Sequence, residues 1–73
     1  MENKKTVKIK TEYITLGQLL KFLRIVGQGG EEKAYLATHQ VAVNGEADNR
    51  RGRKLRPGDV VSLDEGEFEI AEQ

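Results

Sequence analysis

The stretch that decides the fold is Ile14-Thr15-Leu16-Gly17-Gln18-Leu19-Leu20-Lys21-Phe22-Leu23. Thr15 is suited to cap free backbone N–H groups at a helix start, and Gln18 three residues later completes a capping box. Ile14 and Leu19 occupy the two positions of a hydrophobic staple. We therefore predict that a helix begins here.

Apolar side chains continue through this helix at intervals of three and four, which predicts one buried stripe. The stripe consists of Leu16, Leu19, Leu20, Leu23 and Val26. A different face carries Gly17, Lys21, Arg24 and Gln28. Gly27 is predicted to stop the helix, because glycine is the common terminating residue.

A second helix, about Glu31 to Thr38, is predicted after the tight connection Gly27-Gln28-Gly29-Gly30. Glu31 and Glu32 lie where a helix N-terminus favours negative charge. So short a connection requires the two helices to pack as a pair. The side chains available to meet the first helix are Ala34, Leu36 and Tyr35.

His39 follows the second helix, and we expect it to serve as a helix-terminating residue in the left-handed conformation. Short strands are predicted from alternating polarity and β-branched residues. They are Thr6–Lys10 at a sheet edge, Val41–Val43, Val60–Leu63 and a last strand with an acidic outer face around Phe68 and Ile70. Asn44-Gly45 is the dipeptide best suited to a tight turn.

A chain of 73 residues with no cysteine and one histidine describes one small domain, residues 1–73. It has little interior for a catalytic cavity, and no set of residues for a disulfide framework or a zinc site. We expect no cofactor, no metal and no catalytic residue. The apolar runs are too short to cross a membrane and the start does not resemble a signal peptide, so the cytoplasm is the expected location.

The net charge of zero hides an uneven distribution of charge along the chain. Residues 1–56 carry all 12 basic residues and six of the 12 acidic ones, whereas residues 57–73 carry the other six acids and no base. Such asymmetry indicates a nucleic-acid partner.

The basic residues concentrate in a polar run between two predicted strands. Five positive charges stand among seven residues: Arg50, Arg51, Arg53, Lys54 and Arg56. Arginine binds phosphate in a bidentate manner, so we interpret the run as a phosphate-binding loop; a solvated loop is the alternative. Lys21 and Arg24 on the first helix and Lys33 on the second could extend it into a surface for a phosphate backbone.

The four aromatic residues are Tyr13, Phe22, Tyr35 and Phe68. Core packing is the expected role for most of them, and Tyr13 or Tyr35 could instead stack on a base.

The order of these parts resembles a known family. A capped helix with Leu-Leu-Lys-Phe-Leu (19–23), a glycine turn, a second helix, Val-Ala-Val-Asn-Gly (41–45) and Arg-Pro-Gly-Asp-Val-Val (56–61) is similar to the S4-like, or alpha-L, RNA-binding domain. The match covers about residues 14–63. The length of the chain and the loop of residues 48–54, which we call the basic loop, look most like the small stand-alone bacterial YaaA-type members.

The resemblance implies an α+β alpha-L fold, with a two-helix hairpin packed on a small, mostly antiparallel β-sheet. It implies a non-catalytic protein that binds structured RNA, above all ribosomal RNA or a ribosomal subunit, in ribosome assembly or translation. We expect this protein to be a monomer. By position, Lys21, Arg24 and Lys33 would lie on the helical face and residues 50–54 in the adjoining loop. Gln40 and Ala42 stand where the family commonly has basic residues, which shifts the expected contact toward the loop.

Four other interpretations stay open at this point. The same strand motifs resemble β-grasp sulfur carriers and ubiquitin-like proteins, although the chain ends in Ala71-Glu72-Gln73 instead of Gly-Gly. The domain could assist an RNA-modifying enzyme, or it could bind DNA. A protein partner on the acidic face is also compatible with the sequence.

Overall fold

A computed structural model of the chain describes residues 4–27 and 31–73. Two helices and seven strands lie in these ranges, and the α+β class predicted from the sequence is confirmed. In chain order they are β1 (Lys5–Ile9), β2 (Ile14–Thr15), α1 (Leu16–Phe22), α2 (Glu31–Thr38), β3 (Ala42–Val43), β4 (Glu46–Ala47), β5 (Lys54–Leu55), β6 (Val60–Leu63) and β7 (Gly66–Glu72).

Five strands form one mixed sheet in the order β1-β7-β6-β3-β4. The first and last strands, β1 and β7, pair in parallel, and the other neighbours are antiparallel. As predicted, β1 lies at an edge of the sheet. On β7 the side chains of Phe68 and Ile70 are buried, whereas Glu67 and Glu69 alternate with them along the strand.

The buried apolar side chains of both helices and of the sheet form one core cluster. Leu16, Leu19 and Leu20 of α1 are fully buried in it. Ile14 packs partly buried against the same cluster. These residues of the predicted apolar stripe therefore pack α1 against the sheet.

The start of α1 is as predicted. The backbone N–H of Gln18 donates to Thr15 Oγ1 over 3.2 Å, and the backbone N–H of Thr15 donates to Gln18 Oε1 over 3.0 Å. This is a complete capping box.

The end of α1 differs from the prediction, because the helix stops at Phe22 and not at Gly27. The N–H of Ile25 donates to the carbonyl oxygen of Leu20 and the N–H of Arg24 to that of Lys21, each over 3.0 Å. These two bonds are a Schellman motif, in which the residue after the cap adopts the left-handed conformation. That residue is Arg24, with φ of 60°, at a position that usually holds glycine.

Burial adds a detail to one expectation for the helices and corrects another. Gly17 is buried, because residues of the basic loop pack on it. In α2, Tyr35 and Leu36 are buried as expected, but Ala34 is exposed. The predicted bounds of α2 are confirmed, and the connecting residues 28–30 lie outside the described part of the chain.

His39 terminates α2 in a different way from the one predicted, since its backbone is not left-handed. Its N–H donates to the carbonyl oxygen of Tyr35 over 2.9 Å, and its ring stacks on the Tyr35 ring with centroids 4.0 Å apart. The turn at Asn44-Gly45 is confirmed, with φ of 53° and 86°.

Arg24→Gly tests the Schellman motif. A non-glycine residue in the left-handed region destabilises the folded state by about 1 to 2 kcal/mol. Glycine removes this strain, but its greater conformational entropy in the unfolded chain cancels part of the gain in stability. We expect Arg24→Gly to raise the free energy of unfolding by about 0.5 to 1 kcal/mol in chemical denaturation. Arg24→Ala removes the same charge but keeps the strain. An equal increase in the unfolding free energy of Arg24→Ala would show that the effect does not come from relief of backbone strain.

Candidate nucleic-acid interface

The basic loop is attached to the start of α1 by backbone hydrogen bonds. The N–H of Leu16 donates to the carbonyl oxygen of Arg53, and the N–H of Gly17 donates to that of Arg51, each over 2.8 Å. The first N–H groups of a helix have no partner within the helix. With Gln18 bonded to Thr15, the first three of these donors in α1 are all satisfied.

The short β2–β5 ladder continues the same attachment. Ile14 pairs with Leu55 and Thr15 pairs with Lys54, and Leu55 is fully buried in the core. The sequence did not predict β5, because its two residues lie in a run of charged side chains. The helix start and the ladder together hold the backbone of residues 51–55, the middle of the segment that carries the basic residues.

Gly17 allows this close approach. A Cβ at residue 17 would lie 3.3 Å from both the Cβ and the carbonyl oxygen of Arg51, and 3.4 Å from Cγ of Glu32. The start of α1, the basic loop and the first turn of α2 therefore meet at Gly17. No side chain at this position could avoid pressing on the loop backbone.

Glu32 lies between two of the predicted binding residues. Its Oε2 is 3.3 Å from Nζ of Lys21, and its other oxygen, Oε1, is buried without a hydrogen-bond partner in the described part of the chain. The backbone N–H of Glu32 holds the pKa of its carboxyl below the ordinary value, against the opposing effect of burial. Lys21 and then Arg51 lower this pKa further. Glu32 is therefore an anion at neutral pH, which draws the two cations together.

Asp48 binds two arginines of the loop and is almost completely buried, with 7% of its side chain exposed. Arg50 donates to it from its backbone N–H, from Nε and from Nη2, and Arg53 donates from Nη1 over 2.9 Å. Hydrogen bonds from Arg50, with a smaller effect of Arg53, hold the pKa of Asp48 well below its ordinary value although burial opposes them. Positive charges this close together repel one another, and Asp48 partly neutralises that repulsion within the protein.

Lys54 and Arg56 lie over the ring of Tyr13. Nζ of Lys54 is 5.0 Å and Cζ of Arg56 is 5.7 Å from the ring centroid, which is the range of cation–π contacts. Tyr13 is 36% exposed, and Phe22 on α1 is 59% exposed, so the core role expected for most aromatic residues is wrong for Phe22.

Tyr35 is buried, and its hydroxyl donates to Glu65 Oε1 over 2.8 Å. Burial and then this contact raise the pKa of Tyr35, and its ring is not open to a base.

The eight predicted binding residues thus fall into small groups with different local partners. Lys21 and Arg51 flank Glu32, Arg50 and Arg53 bind Asp48, and Lys54 and Arg56 lie over Tyr13. Lys33 and Arg51 line one groove beside α2, and Arg24 is exposed in the turn after α1. Sequence reasoning missed Asp48 and Glu32 as partners of these cations. The position of Asp48 two residues before Arg50 was the available signal.

No helix in residues 4–27 or 31–73 combines the length and the apolar character that crossing a membrane requires.

A family model described as the S4 domain matches residues 7–71 of the chain. The chain is also 51% identical over 65 residues to the "Probable ribosome maturation protein RlbA" of Bacillus subtilis (strain 168). That alignment covers 88% of this chain and 92% of the relative.

Asp48→Asn tests the internal neutralisation through its pH dependence. The folded-state pKa of Asp48 lies below its unfolded value of about 4, so its contribution is present above that pH and lost as the pH falls below it. At pH 7 we expect the variant to lose about 1 to 3 kcal/mol of unfolding free energy, because charged hydrogen bonds are removed.

Chemical denaturation of both proteins between pH 7 and pH 2 measures this difference, which should shrink toward low pH. Asp64→Asn, which removes an exposed carboxylate, is the control and should change stability by less than about 0.5 kcal/mol at pH 7. A constant difference at all pH values would show that Asp48 does not act through its charge.

Proposed function

Because the chain belongs to the S4 domain family, we propose that its basic surface binds structured ribosomal RNA during ribosome assembly. Family membership makes the chain a non-enzymatic RNA-binding protein with a ribosome-related function. We further propose that residues 1–73 act as one RNA-binding domain of the alpha-L type, as a monomer without a cofactor, and in the cytoplasm.

One observation carries the proposal: the backbone of the basic loop is bonded to the start of α1. This attachment brings Arg51 of the loop close enough to Glu32 to lower the pKa of its carboxyl, as Lys21 of α1 also does. Lys33 of α2 shares a groove with Arg51. Cations from three separate segments therefore belong to one surface, as binding to a phosphate backbone requires.

The cations of this surface differ in how readily they can bind phosphate. Arg51, Lys54 and Arg56 have no carboxylate within ion-pair distance in the described part of the chain, whereas Arg50 and Arg53 share Asp48. A phosphate that binds Arg50 must compete with that carboxylate. We therefore assign the main phosphate contacts of the loop to Arg51, Lys54 and Arg56.

Arg24, just after the C-terminal end of α1, has a backbone conformation that favours a role for its side chain in binding. It holds a left-handed conformation in which glycine would be more stable, and its side chain is exposed. A strained position is commonly retained where the side chain serves function. We therefore include Arg24 in the RNA surface, together with Lys21 and Lys33.

Structured RNA is the ligand class that this chemistry fits. Double-helical RNA has a deep, narrow major groove, so proteins recognise it mostly by shape and by phosphate and ribose contacts. The name of the Bacillus subtilis relative supports ribosome maturation as the setting. The acidic strand β7, which carries Glu67 and Glu69, would then face away from the RNA and so orient the domain on its ligand.

A salt series with paired variants tests the proposal. The double variant Arg51→Ala/Lys54→Ala removes two cations without a carboxylate partner in the described structure. We expect it to bind ribosomal subunits more weakly than the wild type. The slope of log affinity against log salt should become shallower by about 0.7 to 0.9 for each lost contact.

The double variant Lys8→Ala/Lys10→Ala is the matched control, since it removes the same charge at and just beyond the edge strand β1. Its affinity and slope should stay close to those of the wild type. Equal losses in the two double variants would mean that net charge, and not this surface, determines binding. A wild-type protein that binds no RNA would overturn the proposal altogether.

A further inference from the structure

A groove runs between α2 and the segment that leads into the basic loop. It consists of two adjoining cavities of about 500 Å³ and about 330 Å³, and Leu36 and Asn49 line both of them. We call this feature the α2 groove. Its volume is in the range of pockets that hold small ligands.

The two ends of the α2 groove differ in chemistry. Lys33 and Arg51 line the smaller cavity, and neither has a carboxylate within ion-pair distance in residues 4–27 and 31–73. His39 and Gln40 line the larger cavity at the far end of α2, together with the ion pair of Asp48 and Arg50. The smaller cavity therefore offers cations without a carboxylate partner in the described residues, which suit a phosphate, whereas the larger cavity offers polar side chains and a cation already paired with Asp48.

The middle of the α2 groove combines an apolar lining with a free carboxamide. Leu36, Ala37 and Val41 contribute apolar surface. The exposed side chain of Asn49 reaches both cavities and makes no hydrogen bond to the described residues. A carboxamide can donate and accept at once, which is the pattern that the edge of a nucleobase presents.

We propose that the α2 groove binds one unpaired nucleotide of the RNA, an inference that rests on the proposed function. Arg51 and Lys33 hold the phosphate, the base lies against Leu36 and Ala37, and the carboxamide of Asn49 bonds the edge of the base. Paired bases in an RNA helix cannot enter such a groove, whereas bases in loops and bulges are free to leave the stack. The ligand is therefore a helix interrupted by an unpaired residue, and not a continuous duplex.

Two RNA hairpins of the same stem sequence, with and without a one-nucleotide bulge, test the inference. We expect the wild type to bind the bulged hairpin about threefold to tenfold more tightly, the range of a few well-placed contacts. Asn49→Ala should reduce this preference, because the base edge loses its partner. Ala37→Leu should abolish it, because the larger side chain fills the groove.

Ala34→Leu is the matched control for Ala37→Leu, since Ala34 is also exposed on α2 but does not line either cavity. Gln73→Ala is the control for loss of an exposed carboxamide. Both controls should keep the wild-type preference. Affinity of all variants for the uninterrupted hairpin, and its salt dependence, should stay unchanged.

The outcomes separate the two proposals. If the wild type binds both hairpins equally, or if Ala37→Leu keeps the preference for the bulge, the nucleotide site is wrong while RNA binding by the basic surface stands. If the wild type binds neither hairpin and no ribosomal RNA, the proposed function itself fails. A fluorescent base analogue at the bulge gives an independent readout, since its signal should change only with proteins that keep the groove open.

Discussion

The arrangement of this small protein depends on how the start of α1 satisfies its free N–H groups. A side chain, Thr15, caps one donor, and two backbone carbonyls of the basic loop cap the two before it. All three hydrogen bonds stabilise the helix, and the two that reach Arg51 and Arg53 also position the loop. Gly17 suits this point because a Cβ there would lie only 3.3 Å from the carbonyl oxygen of Arg51, so that the loop would have to shift. A surface assembled from distant parts of the sequence thus becomes a fixed feature of the fold.

The charges of that surface are organised by two acids. Glu32 lies beside Lys21 and Arg51, and Asp48 binds Arg50 and Arg53. Each acid is largely buried, and each has a lowered pKa, so both remain ionised at neutral pH. The two acids reduce the repulsion among these cations, so that the arginines and lysines can lie close together. They also make the cations unequal, since within the described part of the chain a phosphate would have to compete with a carboxylate for Lys21, Arg50 or Arg53 but not for the others.

Local signals in the sequence were sufficient for the start of α1, the bounds of α2 and the Asn44-Gly45 turn. Each depends on residues within a few positions of one another, such as Thr15 and Gln18. Contacts between residues distant in the sequence could not be predicted from local patterns. The burial of Gly17 depends on Arg51, the β5 strand depends on pairing with β2, and the parallel pairing of β1 with β7 joins the two ends of the described chain. The helix end at Phe22 was missed because an arginine occupies a left-handed position that pattern reading assigns to glycine.

Gly17→Val tests the central claim most directly, because it keeps every charge and places a side chain against the loop backbone where the loop is attached to α1. Affinity for ribosomal subunits would be measured for wild type, Gly17→Val and Gly52→Ala, with folding checked by circular dichroism. A Cβ at residue 52 meets no atom within 4 Å, so Gly52→Ala controls for a glycine change within the loop itself. We predict that Gly17→Val stays folded and binds severalfold more weakly with a shallower salt dependence, while Gly52→Ala binds as the wild type does. Unchanged binding by a folded Gly17→Val would contradict the account, since the number of charges alone would then determine affinity.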